Sequence, residues 1–247
     1  MTLQEYFAKH PKVAIAFSGG VDSSYLLYAA QRYARKMKAY YAKSAFQPRH
    51  EFADALRLAQ ELQTPMRVLE LDILRHESIA SNPENRCYYC KREIFSSILA
   101  AAHEDGFSLL CDGTNASDDL DDRPGVAALR ELQVQSPLLL CGLTKEEIRS
   151  RCKEAGLFVW NKPAYACLAT RVEHLQQLDL PTLQRVEAAE ELLMRLGFVD
   201  FRVRVSGRQA RLELREPDMT RLLAQRQEIL HALKEHFDRI TLNLEAR

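Results

Sequence analysis

The sequence predicts an α/β protein: a Rossmann-like domain with a parallel sheet over residues 1–172, then a small α+β domain over 173–247. Three observations predict it. Apolar strand-like runs alternate with helix-period segments through the first two thirds of the chain. The small-residue turn Ser18-Gly19-Gly20-Val21-Asp22-Ser23-Ser24 joins the first such strand to a helix. After about Val172 the pattern changes to helix, alternating hairpin, long helix and strand.

Taken in order, Val13-Ala14-Ile15-Ala16-Phe17 is a short apolar run of the kind that makes a buried strand, and Tyr25-Leu26-Leu27-Tyr28-Ala29-Ala30 continues as helix. Lys38-Ala39-Tyr40-Tyr41-Ala42 is the second strand. Residues 49–62 place Phe52, Ala55, Leu56, Ala59 and Leu62 on one side of a helix. Met66-Arg67-Val68-Leu69-Glu70-Leu71 is the third strand, 92–103 a helix, and Ser108-Leu109-Leu110-Cys111 a short buried strand ending at Asp112-Gly113-Thr114-Asn115. Residues 144–155 carry a helix start in Thr144 with Glu147 three residues on, and a stop in Gly156. In the second domain, 182–196 is a helix stopped by Gly197. Phe201-Arg202-Val203-Arg204-Val205 and Ala210-Arg211-Leu212-Glu213-Leu214 alternate about Ser206-Gly207-Arg208 as a hairpin. Residues 218–237 form one long helix, and 239–244 the last strand.

The chain has 247 residues, 47% of them hydrophobic, with basic and acidic residues balanced at 34 each. That balance gives no electrostatic argument for a nucleic-acid partner. No apolar run reaches membrane-spanning length, so no membrane partner is expected. Residues 1–12 are polar and lack the apolar core of a signal peptide. A cytoplasmic location follows as the expectation, and in a reducing compartment the six cysteines point to metal or catalysis more than to disulfides.

Two segments carry chemistry. A strand, a glycine turn and a helix start aim backbone N–H groups at an anion, and serine hydroxyls add donors. Asp22 repels phosphate and is therefore expected to act through Mg²⁺. The Gly-Lys-Ser/Thr ending of a Walker A loop is absent. The second segment is Cys87-Tyr88-Tyr89-Cys90, a Cys-x-x-Cys pair open to redox, zinc or chance readings. With Cys167 as a third thiolate, the set suits a [4Fe–4S] cluster with one open iron, or a zinc site needing a fourth ligand. Cys111, Cys141 and Cys152 are read as structural.

SGGVDSS resembles the PP-loop of ATP pyrophosphatases. With Asn82-Pro83-Glu84-Asn85-Arg86-Cys87-Tyr88-Tyr89-Cys90-Lys91, Asp112-Gly113-Thr114-Asn115-Ala116, Asp121-Asp122-Arg123-Pro124-Gly125, Ser136-Pro137-Leu138, Gly142-Leu143-Thr144-Lys145, Lys162-Pro163 and Cys167-Leu168-Ala169, the chain resembles the LarE family of ATP-dependent sulfur transferases from about residue 12 to 214. The resemblance implies an adenine nucleotide alpha hydrolase-like first domain. It implies ATP held by Ser18, Gly19, Gly20, Val21, Asp22, Ser23, Ser24, Gly113 and Thr114. It implies a [4Fe–4S] cluster on Cys87, Cys90 and Cys167, the type that carries sulfur from a sulfide donor as an extra sulfide. The substrate implied is pyridinium-3,5-biscarboxylic acid mononucleotide, a precursor of the nickel-pincer cofactor, touched by Arg86, Arg171, Arg202 and Arg204, with Glu190 near a metal. A homo-oligomer, with a hexamer as its candidate form, is implied as well. Two rival expectations are a PP-loop, iron–sulfur tRNA thiolase and a non-catalytic zinc- or nucleotide-binding module.

Overall fold

The first apolar run folds as β1 (Lys12–Ala16); β2 (Lys36–Lys43), β3 (Met66–Glu70) and β4 (Leu110–Cys111) join it in one parallel sheet of order β3-β2-β1-β4. The computed structural model describes residues 1–119 and 124–247; Asp121, Asp122 and Arg123 of the quoted segment lie outside them. The sheet grows from β1 to one side through β2 and β3, then returns to the other side with β4. The direction of strand addition therefore reverses between β1 and β4, and open α/β sheets bind ligands outside the carboxyl ends of the strands at such a point.

Alternation along β1 shows why helices cover both faces. Val13 and Ile15 pack in one cluster with Leu26, Leu27 and Leu58, while Ala14 packs in another with Tyr40, Ile98 and Phe107. The helices in chain order are α1 (Leu3–Lys9), α2 (Val21–Tyr33), α3 (Arg49–Glu61), α4 (Glu77–Ala80), α5 (Arg86–Glu104), α6 (Pro124–Glu131), α7 (Pro137–Leu140) and α8 (Lys145–Glu154). α8 has the expected capping box between Thr144 and Glu147.

Some elements differ from the sequence expectation. The polar N-terminal segment contains α1, fixed by a second capping box between Thr2 and Glu5 and by burial of Leu3, Tyr6 and Phe7. α5 begins at Arg86 rather than at 92, which puts the Cys-x-x-Cys pair in its first turns. β4 shrinks to two residues.

The chain divides into two compact units. The first comprises Met1–Ile73 and Asn85–Lys162, the second Leu74–Glu84 and Pro163–Arg247. In the second unit α4 is followed by α9 (Leu180–Arg195), β5 (Arg202–Ser206), β6 (Gln209–Glu213), α10 (Glu216–Ala224), α11 (Arg226–Leu233) and β7 (Arg239–Leu242). β5 and β6 form the expected antiparallel hairpin, and β7 adds in parallel to β6. The single long helix expected over 218–237 is two helices broken at Gln225, where neither glycine nor proline marks the break. The 74–84 stretch is tied into this unit by Asn82, which is buried: its Nδ2 donates to Glu173 O at 2.8 Å and its carbonyl accepts from Leu175 N at 3.0 Å.

Candidate active site

The turn after β1 can be read atom by atom. Gly19 has φ +77°, and a Cβ there would lie 3.0 Å from Ala55 Cβ on α3, so both backbone and space demand glycine. Gly20 is the N-cap of α2 and offers no side-chain cap, which leaves the first-turn N–H groups of α2 to an anion. Ser23 Oγ braces the turn: it lies 3.0 Å from Ser18 Oγ, accepts from Ser18 N at 3.2 Å and donates to Gly20 O at 3.2 Å. Ser24 is fully buried, its Oγ without a hydrogen-bond partner, and Val21 points into the core. Ser24 N donates to Gly20 O at 2.9 Å, so at Val21 and Ser23 it is the main chain, not the side chains, that faces the turn.

The turn after β4 presses onto this junction. A Cβ on Gly113 would come within 2.8 Å of Ser23 N, so only glycine permits the approach. Asp112 is buried and orients two hydroxyls: Thr114 Oγ1 donates to its Oδ2 at 2.5 Å and Ser136 Oγ to its Oδ1 at 2.6 Å. Lys145, first residue of α8, brings Nζ to 2.5 Å from Asp22 Oδ2. Asp22 Oδ1 is buried with no hydrogen-bond partner. Lys162 lies 3.1 Å from Glu51 Oε1 and 2.6 Å from Asp54 Oδ2 on α3, the helix that Gly19 abuts.

None of the six cysteines forms a disulfide. Cys87 is exposed and Cys90 half-buried, three residues apart and so on neighbouring positions of one α5 face. Arg86, itself buried, donates from Nη2 to Cys87 Sγ at 3.9 Å. Burial pushes the Cys111 and Cys152 thiols up to about 12, which keeps them protonated at neutral pH; burial also raises Cys141. Cys167 belongs to the second unit, at the head of the short 3₁₀ turn Leu168–Arg171. Among the described residues, neither unit by itself gathers three His, Cys, Asp or Glu side chains into a metal-holding group.

In the second unit Arg202 and Arg204 share one face of β5, opposite Val203 and Val205. Neither is a merely solvated charge. Arg202 is buried and donates to Phe201 O at 2.6 Å and Ala164 O at 2.9 Å. Arg204 donates to Glu213 Oε2 at 3.1 Å and to Thr170 O. Burial first, then the charges of Arg171 and Arg247, pull the Arg202 guanidinium down to about 10, against the opposing effect of Glu190 and of Asp200, whose Oδ1 lies 3.8 Å from Nη1. Glu190, expected near a metal, pairs with protein groups. It is fully buried and both oxygens are taken by protein donors: Oε1 by Arg171 Nε at 2.7 Å and Val203 N at 2.9 Å, Oε2 by Arg171 Nη2 at 3.2 Å and the Tyr165 hydroxyl. Arg171, fully buried in that pairing, faces Glu190 rather than an open site.

Residues 7–82 match the asparagine synthase family model, which spans the PP-loop. An uncharacterized protein of Synechocystis is 35% identical over 215 residues, covering 86% of this chain and 80% of that protein. The pyridinium-3,5-bisthiocarboxylic acid mononucleotide synthase of Lactiplantibacillus plantarum is 33% identical over 207 residues, covering 83% of this chain and 75% of that protein. The chain belongs to the LarE family of PP-loop sulfur transferases. A tRNA-specific 2-thiouridylase of Clostridium botulinum is more distant, at 27% identity over 182 residues and 52% of its length.

Membership in LarE implies Mg²⁺ and, for three-cysteine members, a [4Fe–4S] cluster. The residues fit both. Asp22 Oδ1, buried beside the PP-loop with no hydrogen-bond partner, is an acceptor of the kind Mg²⁺ takes. Cys87, Cys90, Cys141 and Cys167 are the cysteines that are not buried, and of these Cys141 packs against the core of the first unit; burial keeps Cys111 and Cys152 protonated. Sequence reasoning missed Lys145, Asp112, Ser136 and Tyr165 as site residues. Lys145, Asp112 and Ser136 stand in segments that carry the LarE resemblance, which was the available signal.

Proposed function

We propose that this protein is an ATP-dependent sulfur transferase that adenylates a carboxylate of pyridinium-3,5-biscarboxylic acid mononucleotide and replaces it with a thiocarboxylate. The observation that carries the reading is the PP-loop itself: uncapped α2 N–H groups, Gly113 pressed on Ser23, and the Asp22–Lys145 pair at the sheet's switch point.

The α2 N-terminus receives the β,γ-phosphates of ATP through main-chain N–H groups, since the Ser18 and Thr114 hydroxyl protons go to Ser23 Oγ and Asp112 Oδ2 and brace the two turns. A substrate carboxylate oxygen attacks the α-phosphorus. The bond to the β-phosphate oxygen breaks, and pyrophosphate leaves against the N–H groups that hold it. Asp22 Oδ1 and the phosphates would hold Mg²⁺, whose charge offsets that gathering on the leaving group. Sulfide then adds to the acyl carbon, the acyl–oxygen bond to AMP breaks, and a thiocarboxylate remains. Cys87, Cys90 and Cys167 would hold a [4Fe–4S] cluster, which supplies that sulfur nucleophile when bound. Sulfur of this class needs no strong general base. Arg202 and Arg204, side by side on one face of β5, would take the substrate phosphate, with Arg171 and Arg86 as further candidates for substrate contact.

The test is to incubate reconstituted protein with ATP, Mg²⁺, sulfide and the mononucleotide under anaerobic conditions. AMP, pyrophosphate and a thiocarboxylate should form together. Thiolation of tRNA in a parallel reaction, with the mononucleotide inert, would favour the distant 2-thiouridylase likeness instead.

A further inference from the structure

A chain of hydrogen bonds inside the second unit runs from Glu190 to Cys167. Arg171, bonded to both oxygens of Glu190, donates from Nη1 to Thr170 Oγ1 at 2.8 Å. Thr170 Oγ1 donates to the Cys167 carbonyl at 2.7 Å, and Thr170 N donates to the same carbonyl at 3.0 Å. The segment is also gripped from outside. Arg202 Nη2 holds Ala164 O and Arg204 Nη1 holds Thr170 O, while the Tyr165 ring lies between the guanidinium groups of Arg171 at 4.7 Å and Arg202 at 5.5 Å.

A 3₁₀ turn of four residues has little stiffness of its own. A buried ion pair is expensive unless every donor and acceptor is satisfied, and Glu190 is satisfied on both oxygens. The pair holds the turn that Cys167 heads, and the Cys167 side chain makes no cap bond to that turn.

We propose that Glu190 is a positioning residue that acts through Arg171 and Thr170 to fix the main chain of Cys167, and so the direction of its thiol. The inference rests on Cys167 being a working thiol in the reaction proposed above. It assigns Glu190 to cysteine placement instead of metal binding.

The test uses the full chain without metal. Iodoacetamide labels the protein at pH 8, and peptide masses give the rate at Cys167 relative to Cys87 in the other unit. Thr170→Val deletes the linking hydroxyl at a half-buried position; Thr170→Ser restores it. Glu190→Gln removes the charge, and should it fail to fold, Thr170→Val still decides. The Cys167 to Cys87 ratio should rise about fivefold in Thr170→Val, the shift expected from one neutral hydrogen bond lost, and return to within about twofold of wild type in Thr170→Ser. A ratio in folded Thr170→Val within about twofold of wild type overturns the proposal. Thiocarboxylate formation by the wild type is scored separately. Its absence would fell the functional reading, while the labelling ratio still judges the placement.

Discussion

At the scale of single residues, the phosphate turn was legible because each residue type does one mechanical job. Gly19 supplies a positive φ, Gly20 an uncapped helix start, and Asp22 a carboxylate at the N-terminus of α2. Lys145 was not legible, because its place opposite Asp22 depends on how α8 packs beside α2 and not on any local pattern. Asp22→Ala and Lys145→Ala should each slow pyrophosphate release from ATP plus substrate by roughly ten- to hundredfold, the equivalent of about 1.5–3 kcal/mol for a charge-assisted contact. Wild-type rates in Asp22→Ala would remove the phosphate assignment. Arg202→Ala and Arg204→Ala should raise the apparent substrate KM by a similar factor of roughly ten to a hundred while leaving ATP binding intact. Separate titrations of ATP and mononucleotide read this out, and an equal ATP defect would refute a substrate-phosphate role.

At the scale of elements, legibility followed the strength of local signals. The Thr144–Glu147 box marked α8 correctly, and strict alternation marked the β5–β6 hairpin. The same box at Thr2–Glu5 went unread because only tertiary burial of Tyr6 and Phe7 shows that the short N-terminal stretch folds. The start of α5 was set late because Asn85-Arg86-Cys87 carries no capping serine or threonine, and the Asn85 side chain makes no cap bond. Thr144→Ala should cost about 1 kcal/mol and lower Tm by about 2–4 °C in a calorimetric scan. Asp105, the C-cap of α5, ties that helix to the sheet through Lys38 at 2.7 Å, the Tyr40 hydroxyl at 2.8 Å and Arg67 at 3.3 Å. Hydrogen bonds from Lys38 and then Tyr40 hold its carboxyl down at about 2. A depressed carboxylate stabilises the fold above its unfolded value of about 4 and loses that contribution as pH falls toward the folded value. Asp105→Asn should therefore melt below wild type at pH 7, with the gap closing between about pH 4 and about pH 2. A gap constant across that window would contradict the assignment.

At the scale of the whole molecule, the parallel sheet and an α+β portion after it were legible from alternation and its loss, although the second compact unit takes up the chain at Pro163 and not after Val172. The affiliation of residues 74–84 was not, since nothing in Leu74–Glu84 marks it as a partner of Glu173, Leu175 and Leu178. Cys87 and Cys90 come from one unit and Cys167 from the other. Changing any of the three to Ala should abolish retention of the roughly four irons expected per chain after anaerobic reconstitution, whereas Cys111→Ala, Cys141→Ala and Cys152→Ala should keep them. Iron and acid-labile sulfide assays decide it, and full loading of Cys167→Ala would end the three-ligand model.

The excursion of Leu74–Glu84 into the second unit also governs how the protein can be taken apart. The chain passes between units at 73–74, 84–85 and 162–163. A fragment beginning at Pro163 would lack the Asn82 carbonyl that receives Leu175 N and the Ala80 carbonyl that receives Leu178 N. A chimera that grafts a relative's C-terminal portion after Lys162 would pair a foreign body with a native plug. To exchange specificity between relatives, both pieces have to travel together.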